Sequence, residues 1–288
     1  MPGATDHQAR DDGAGNAGRP AADSRTYWEQ RIARGEGLVG VGVTALGPGF
    51  NRWAYRARAA RFRAAATPLL EAGPRGPVAD IGAGSGFYLD QWRQLGAGPI
   101  AATDLTAIAV QRLRQRFPEV DVARMDISDP EALPKSGLAP GGYALVSAMD
   151  LLFHILDEDG YRAAFENLSA LLAPGGHLVL TEDMIRGRRT RRRQVKVTRP
   201  ARRVRRTWRA AGLEEVSVEP LFALMNFPSA GGPGWRRWWS ALHRLLAPRP
   251  WLGGPVGALL YPLERIMVLR VRPGPSTKLI VLRKRDSG

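Results

Sequence analysis

The run Val78-Ala79-Asp80-Ile81-Gly82-Ala83-Gly84-Ser85-Gly86-Phe87-Tyr88 couples a short apolar segment to an acid and three glycines at alternate positions. Where side chains are missing, a ligand can approach main-chain N–H groups closely, so this loop suits contact with a small molecule. Phosphate loops, nicotinamide folds and plain tight turns also use glycine, and the neighbouring residues narrow the choice. A helical pattern follows through Leu89, Trp92 and Leu95, and a second apolar run, Pro99-Ile100-Ala101-Ala102-Thr103, ends at Asp104. A carboxylate ending the second strand of a βαβ unit is placed to accept hydrogen bonds from ribose hydroxyls. The usual nicotinamide fingerprint is GxGxxG, whereas Phe87 here stands where its last glycine would be.

The elements that must hold these residues repeat along the chain. Val120 to Met125 reads as a third strand running into Asp126 and Ile127, an acid and an apolar side chain that suit an adenine amino group and ring face. Tyr143 to Ala148 is a fourth, leading into Met149-Asp150-Leu151-Leu152-Phe153-His154. A helix carrying Tyr161, Phe165, Leu168 and Leu171 reaches Pro174-Gly175-Gly176, and a fifth strand follows at His177 to Thr181. Strands and helices alternating at this spacing predict an α/β, Rossmann-like doubly wound sheet with ligands at the carboxyl ends of its strands.

On Asp80-Ile81-Gly82-Ala83-Gly84-Ser85-Gly86, Asp104, Asp126-Ile127 and Leu172-Ala173-Pro174-Gly175-Gly176, the chain resembles the class I S-adenosylmethionine-dependent methyltransferases from about Tyr27 to Lys284. The resemblance implies a seven-stranded sheet whose last strand is antiparallel, with Ser276 to Lys284 as that strand. It also implies S-adenosyl-L-methionine as cofactor: the loop of Asp80, Gly82, Ala83, Gly84, Gly86 and Tyr88 against the methionine part, Asp104 and Leu105 at the ribose, Asp126 and Ile127 at the adenine, and Ala148 offering backbone to the amino group.

Methyl transfer needs alignment in a dry pocket more than any one catalytic group, but a hydroxyl or protonated amine acceptor benefits from a base. Asp150 and His154 stand four apart and on a helix would share a face. They are the candidate bases, His154 preferred because its ordinary pKa is near neutrality. Ahead of the loop, Asn51 can cap a helix on which Tyr55, Phe62 and Leu69 recur every seven residues. In the resembling family such a segment folds over the cofactor and helps form the acceptor pocket, making Asn51, Trp53 and Tyr55 candidates for substrate contact; Phe153, beside His154, is a fourth. A second cap follows a sixth strand near Glu215 to Glu219: Trp235, Trp238, Trp239, Leu242, Leu245 and Leu246 form one apolar helical stripe, read as a lid on the core, with an anionic bilayer or lipid-like acceptor as its other fit.

The expected organisation is a disordered tail at 1–24, a helical cap at 25–75, a cofactor-binding core at 76–225, a lid at 226–272 and a final strand and tail at 273–288. The chain has 288 residues and no cysteine, which excludes disulfides, thiolate metal sites and a cysteine nucleophile. Its four histidines do not cluster, so no metal site is expected. Glu264 and Arg265 interrupt the best apolar stretch, so a membrane span is not expected and the reading is cytoplasmic. Of the formal +15, the segment Arg186 to Arg209 contributes +13 through twelve arginines and one lysine, leaving +2 elsewhere. That segment is a solvated loop and helix face or a site for RNA, an anionic substrate or a membrane surface. It lacks interleaved aromatics for base stacking, and no Asn/Asp-Pro-Pro-aromatic motif follows the fourth strand. These features favour a methyltransferase for a small organic acceptor, with RNA methylation or cofactor binding without methyl transfer as alternatives.

Overall fold

The apolar runs become a parallel sheet because nearly all their side chains face packed helices on both sides. In the computed structural model, which describes residues 24–33, 35, 42–72 and 76–285, the chain enters through α1 (Ser24–Ala33) and the long α2 (Gly47–Ala72). There follow β1 (Val78–Ile81), α3 (Phe87–Gln94), β2 (Ile100–Asp104), α4 (Ala107–Arg116), β3 (Asp121–Arg124), α5 (Ala132–Ser136) and β4 (Tyr143–Ala148). A 3₁₀ turn at Leu152–His154 leads to α6 (Glu158–Leu171) and β5 (Leu172–Glu182). Next come β6 (Met184–Ile185), β7 (Arg191–Arg192), β8 (Val197–Pro200), α7 (Ala201–Ala210) and β9 (Leu213–Pro220), then α8 (Pro233–Leu246), α9 (Gly253–Arg270) and β10 (Lys278–Lys284).

The main sheet has seven strands in the order β3-β2-β1-β4-β5-β10-β9, with β10 antiparallel to both neighbours. The expected seven-stranded architecture with an antiparallel last strand is thus observed. The order reverses between β1 and β4, so a crevice opens beyond their carboxyl ends. One face is closed by α6 and α7 through Tyr161, Phe165, Leu168 and Trp208, and the other by α2, α8 and α9 through Phe50, Phe62, Trp239 and Leu260. Full burial of each such side chain stabilises by about 1.5–3 kcal/mol.

Several local expectations change in the structure. The fifth strand starts at Leu172 rather than His177, because Pro174-Gly175-Gly176 is absorbed as an irregularity where pairing with β4 jumps from Leu172 to His177. Asn51 lies inside α2, where its side chain accepts from the Val43 N–H (2.9 Å) and donates to the Val43 and Gly47 carbonyls. It clamps the turn entering the helix. Trp238 and Leu245 are 37% and 45% exposed, so the buried stripe of α8 narrows to Trp239, Leu242 and Leu246. The stretch 250–270 is, among the described residues, the one helical segment long and apolar enough to cross a membrane by length and composition. Its Glu264 is buried and accepts the N–H groups of Ala223, Leu224 and Met225, which ties α9 to the loop after β9. The tail expected at 1–24 lies outside the described residues except for Ser24, the first residue of α1.

Candidate active site

Beyond β1 and β4 the crevice holds an inner cavity of about 240 Å³. Its floor is the glycine loop (Gly82, Ala83, Gly84, Ser85) with Phe87 and Tyr88, its side Asp104 and Leu105, and its roof Trp28 and Ile32 of α1 with Tyr55 and Arg58 of α2. Met149, Asp150, Leu151, Phe153 and His154, with Lys196, Asn226 and Thr277, complete it. The three glycines do different things. A Cβ on Gly82 would press on the Leu151 side chain at 3.0 Å, and one on Gly86 would meet the Phe117 ring at 2.4 Å. Around Gly84, φ +55°, there is open space, so here a ligand can reach bare backbone.

Asp104 is almost fully buried at the end of β2. Its Oδ1 accepts the Thr106 N–H (2.9 Å) and hydroxyl (2.7 Å), and its Oδ2 accepts the Gly84 N–H (2.9 Å). Burial raises its pKa, and these donors oppose the rise. A carboxylate has about four lone-pair sites, so one acceptor position on Oδ2 stays open, enough for one ligand hydroxyl.

Asp80 is placed differently, inside β1 and away from the cavity wall: its carboxylate accepts from the Ser147 hydroxyl at 2.6 Å, which in turn accepts from Trp92 Nε1 at 2.9 Å. With its other oxygen unpartnered, burial pushes Asp80 up to about 7. Asp126 closes a turn on the Ser128 N–H and hydroxyl, Ile127 is buried against α6, and Ala148 sits in the sheet core. None of Asp80, Gly86, Asp126, Ile127 and Ala148 is among the residues lining the inner cavity. Trp53 packs on Tyr261 of α9, with ring centroids 5.4 Å apart.

Asp150 and His154 both line the cavity without sharing a helix, because only Leu152–His154 is helical and Asp150 takes the left-handed conformation at φ +55°. That backbone is held by the Thr181 hydroxyl, which accepts the Asp150 N–H at 2.6 Å and donates to its carboxylate at 3.2 Å. The carboxylate also forms an ion pair with Arg58, whose guanidinium lies 5.4 Å from the Tyr55 ring and 5.1 Å from Phe222. Burial is the largest single influence on Arg58 and works against its charge, but Asp150 together with the Tyr88 and Tyr55 hydroxyls outweighs it and raises its pKa. His154 sits edge-on to Trp28, centroids 4.7 Å apart, and its Nδ1 is 2.5 Å from the Val195 carbonyl. Since a carbonyl only accepts, Nδ1 carries the proton and Nε2 a lone pair. Burial pulls the ring's pKa down to about 4.

An outer cavity of about 700 Å³ continues from the inner one and shares Trp28, Tyr55, Arg58, Phe153, His154 and Lys196 with it. Asn51 lies on its wall, beside residues of α1, α8, the β7–β8 hairpin and the loop after β9. Sequence reading missed Arg58, Trp28 and Lys196 as site residues. A signal for Arg58 existed: it stands one turn after Tyr55 on the buried side of α2, where a charge requires a partner. Among the described residues no three His, Asp or Glu side chains gather as a metal site.

The strand order, the switch-point crevice, the open Gly84 backbone and the acid ending β2 define a class I S-adenosylmethionine-dependent methyltransferase. A model of the methyltransferase domain family matches residues 51–217, more than half of the chain, and the chain belongs to that family. No curated protein matches it. Among solved structures, the N-methyltransferase NodS from Bradyrhizobium japonicum, in complex with S-adenosyl-L-homocysteine, superposes with a TM-score of 0.52 at 16% identity over 91% of this chain and 99% of that one. The CurJ carbon methyltransferase gives 0.51 at 15% over 79% and 54%, and the (4+2)-cyclase SpnF gives 0.50 at 20% over 79% and 81%. At such identities the likeness concerns the fold.

Proposed function

We propose that the protein methylates an oxygen, nitrogen or carbon of a small organic acceptor, with the cofactor in the inner cavity and the acceptor entering from the outer one. The observation that carries this reading is the continuity of the two cavities at Trp28, Tyr55, Arg58, Phe153 and His154. S-adenosylmethionine supplies a methyl group on a positively charged sulfur; when the acceptor's electron pair takes that methyl, the pair of the broken bond stays on sulfur and S-adenosylhomocysteine remains. The open backbone at Gly84 and the free Oδ2 position of Asp104 suit the cofactor's polar groups, and the aromatic walls exclude water. His154 Nε2 is the group suited to take a proton from a hydroxyl or amine acceptor, held in place by Trp28 and the Val195 carbonyl. Asp150, committed to Arg58 and Thr181, acts as a positioning residue.

RNA methylation through the arginine segment receives less support. Arg199 is fully buried, 3.6 Å from the Tyr161 ring centroid, Arg205 pairs with Glu215 at 2.7 Å, and Arg191 and Arg193 line the outer cavity. These positions break up a continuous outward stripe. The test is incubation with methyl-labelled S-adenosylmethionine and a panel of hydroxyl, amine and carbon-acid acceptors: a methylated product formed in step with S-adenosylhomocysteine supports the reading. Cofactor binding without label transfer to any acceptor would leave a non-methylating protein on this fold, as the cyclase name of SpnF illustrates.

A further inference from the structure

The outer cavity is lopsided in charge. Cationic side chains line it from two elements: Arg191, Arg193 and Lys196 on the β7–β8 hairpin, Arg236 and Arg244 on α8. The one acid on its wall is Asp183, buried and already paired with Lys196 at 2.6 Å. The contribution of α8 follows from its register. Arg236, Trp239, Ser240, His243 and Arg244 recur at i, i+3, i+4, i+7 and i+8, so one helical face is turned to the cavity and carries two cations and two further hydrogen-bonding groups. Two residues of these walls, Ser229 and His243, each keep a buried polar atom, Oγ and Nε2, with no hydrogen-bond partner in the protein, a state that costs stability. The same cavity has a set of apolar wall residues: Phe153, Phe222, Met225, Phe227 and Trp239.

From this placement we infer that the methyl acceptor is an amphipathic anion, with an apolar or aromatic body against the phenylalanines and a carboxylate or phosphate held between the hairpin and α8. The inference rests on the proposed methyl transfer and adds the chemistry of its substrate. Arg191, Arg193, Arg236 and Arg244 line the outer cavity and not the inner one, whereas His154 lines both. An acceptor anchored by its charge would therefore direct its other end toward the cofactor. Arginine suits this task because its planar fork meets a carboxylate or phosphate through two parallel hydrogen bonds.

The test uses the full chain and four probes: 1-naphthoate, 1-naphthyl phosphate, neutral 1-naphthamide and a 20-nucleotide RNA, titrated with S-adenosylhomocysteine present. The expected result is at least tenfold tighter binding of naphthoate or naphthyl phosphate than of naphthamide, weakening as salt rises. The relative strength of the two anions then separates a carboxylate from a phosphate acceptor. In the double variant Arg236→Gln, Arg244→Gln the anion preference should fall about tenfold while S-adenosylhomocysteine binds within twofold of the parent chain. Glutamine keeps the helix propensity of α8, and both positions are exposed, so folding is retained. Equal binding of naphthamide and the anions, or a preference untouched by the double variant, overturns the inference. RNA binding tighter than that of naphthyl phosphate overturns it in favour of a nucleic-acid substrate. Failure to bind S-adenosylhomocysteine at all would instead strike the methyltransferase reading.

Discussion

Single residues in this crevice divide between those that present an open group to a ligand and those whose groups are consumed by the fold. His154 belongs to the first kind: one nitrogen is fixed by the Val195 carbonyl, and the other is the one that, on the proposed reading, takes the acceptor's proton. Replacing it with alanine is expected to lower kcat by about 10²-fold or more, the usual contribution of a positioned base. The Kd for S-adenosylhomocysteine should stay within about threefold, as isothermal titration would record. Because burial lowers its pKa to about 4, the ring stays neutral through the range in which a solvated histidine titrates. Any acid limb of kcat due to His154 should accordingly centre below pH 5; a limb near 6.5 that vanishes in His154→Ala would rule out the buried, neutral base. Asp80 belongs to the second kind. Its pKa is raised to about 7, so between the ordinary carboxylate value and 7 the folded chain holds a proton that the unfolded chain has lost. The stability it contributes is full in acid and is lost as pH rises through 7. Asp80→Asn keeps an acceptor for the Ser147 hydroxyl and cannot ionise, so the variant should gain on the parent chain by about 1–2 kcal/mol between pH 5 and pH 8 in urea titrations.

At the scale of elements, the glycine loop separates two requirements that the sequence presents as one repeat. Gly86→Ala would combine a left-handed φ of +78° with a Cβ 2.4 Å from the Phe117 ring, and should cost about 3 kcal/mol of stability. Gly84→Ala strains only its own backbone, by about 1 kcal/mol, but fills the open space in front of the loop, and should weaken S-adenosylhomocysteine binding by tenfold or more. Denaturation and calorimetry on the two variants would reveal the split; equal effects on stability would deny it. The same contrast explains what was legible in the sequence. Strands β1, β2, β4 and β5 could be read because burial on both faces leaves apolar runs with short polar breaks, Asp104 because it ends one of them, and β10 through the family resemblance. Asp150 was found as a residue but not in its conformation, since its positive φ depends on Thr181, thirty-one residues away. The arginine segment read as a solvated loop and helix face or an anion-binding surface, yet Arg199 is wholly buried against Tyr161, with Glu158 and the carbonyls of Ile155 and Asp157 as acceptors. Composition gives no sign of such partners, because each comes from an element that is distant in sequence.

For the whole molecule, the central question is how a ligand reaches an inner cavity roofed by α1. Ile32 of that helix is buried, Trp28 rests on His154, Glu29 accepts the Ala107 N–H at the start of α4 (2.8 Å), and Arg112 donates to the Ile32 and Gly35 carbonyls at 2.7 and 3.1 Å. The sheet and its two helical layers are complete without it, since the core clusters are built from residue 46 onward. An element with few buried apolar contacts belongs to the low-stability end of a fold, where ligand gates are drawn from. A chain beginning at residue 36 should therefore unfold cooperatively with a Tm within a few degrees of the parent, yet bind S-adenosylhomocysteine at least tenfold more weakly, because Trp28 and Ile32 no longer close the cavity. In the full chain, amide exchange across residues 26–33 should be fast when free and slow markedly on binding, while β1 and β4 stay protected in both states. Exchange in α1 that ignores the ligand, together with unchanged affinity in the shortened chain, would mean that the cofactor enters by another face and that α1 is only a brace for α4.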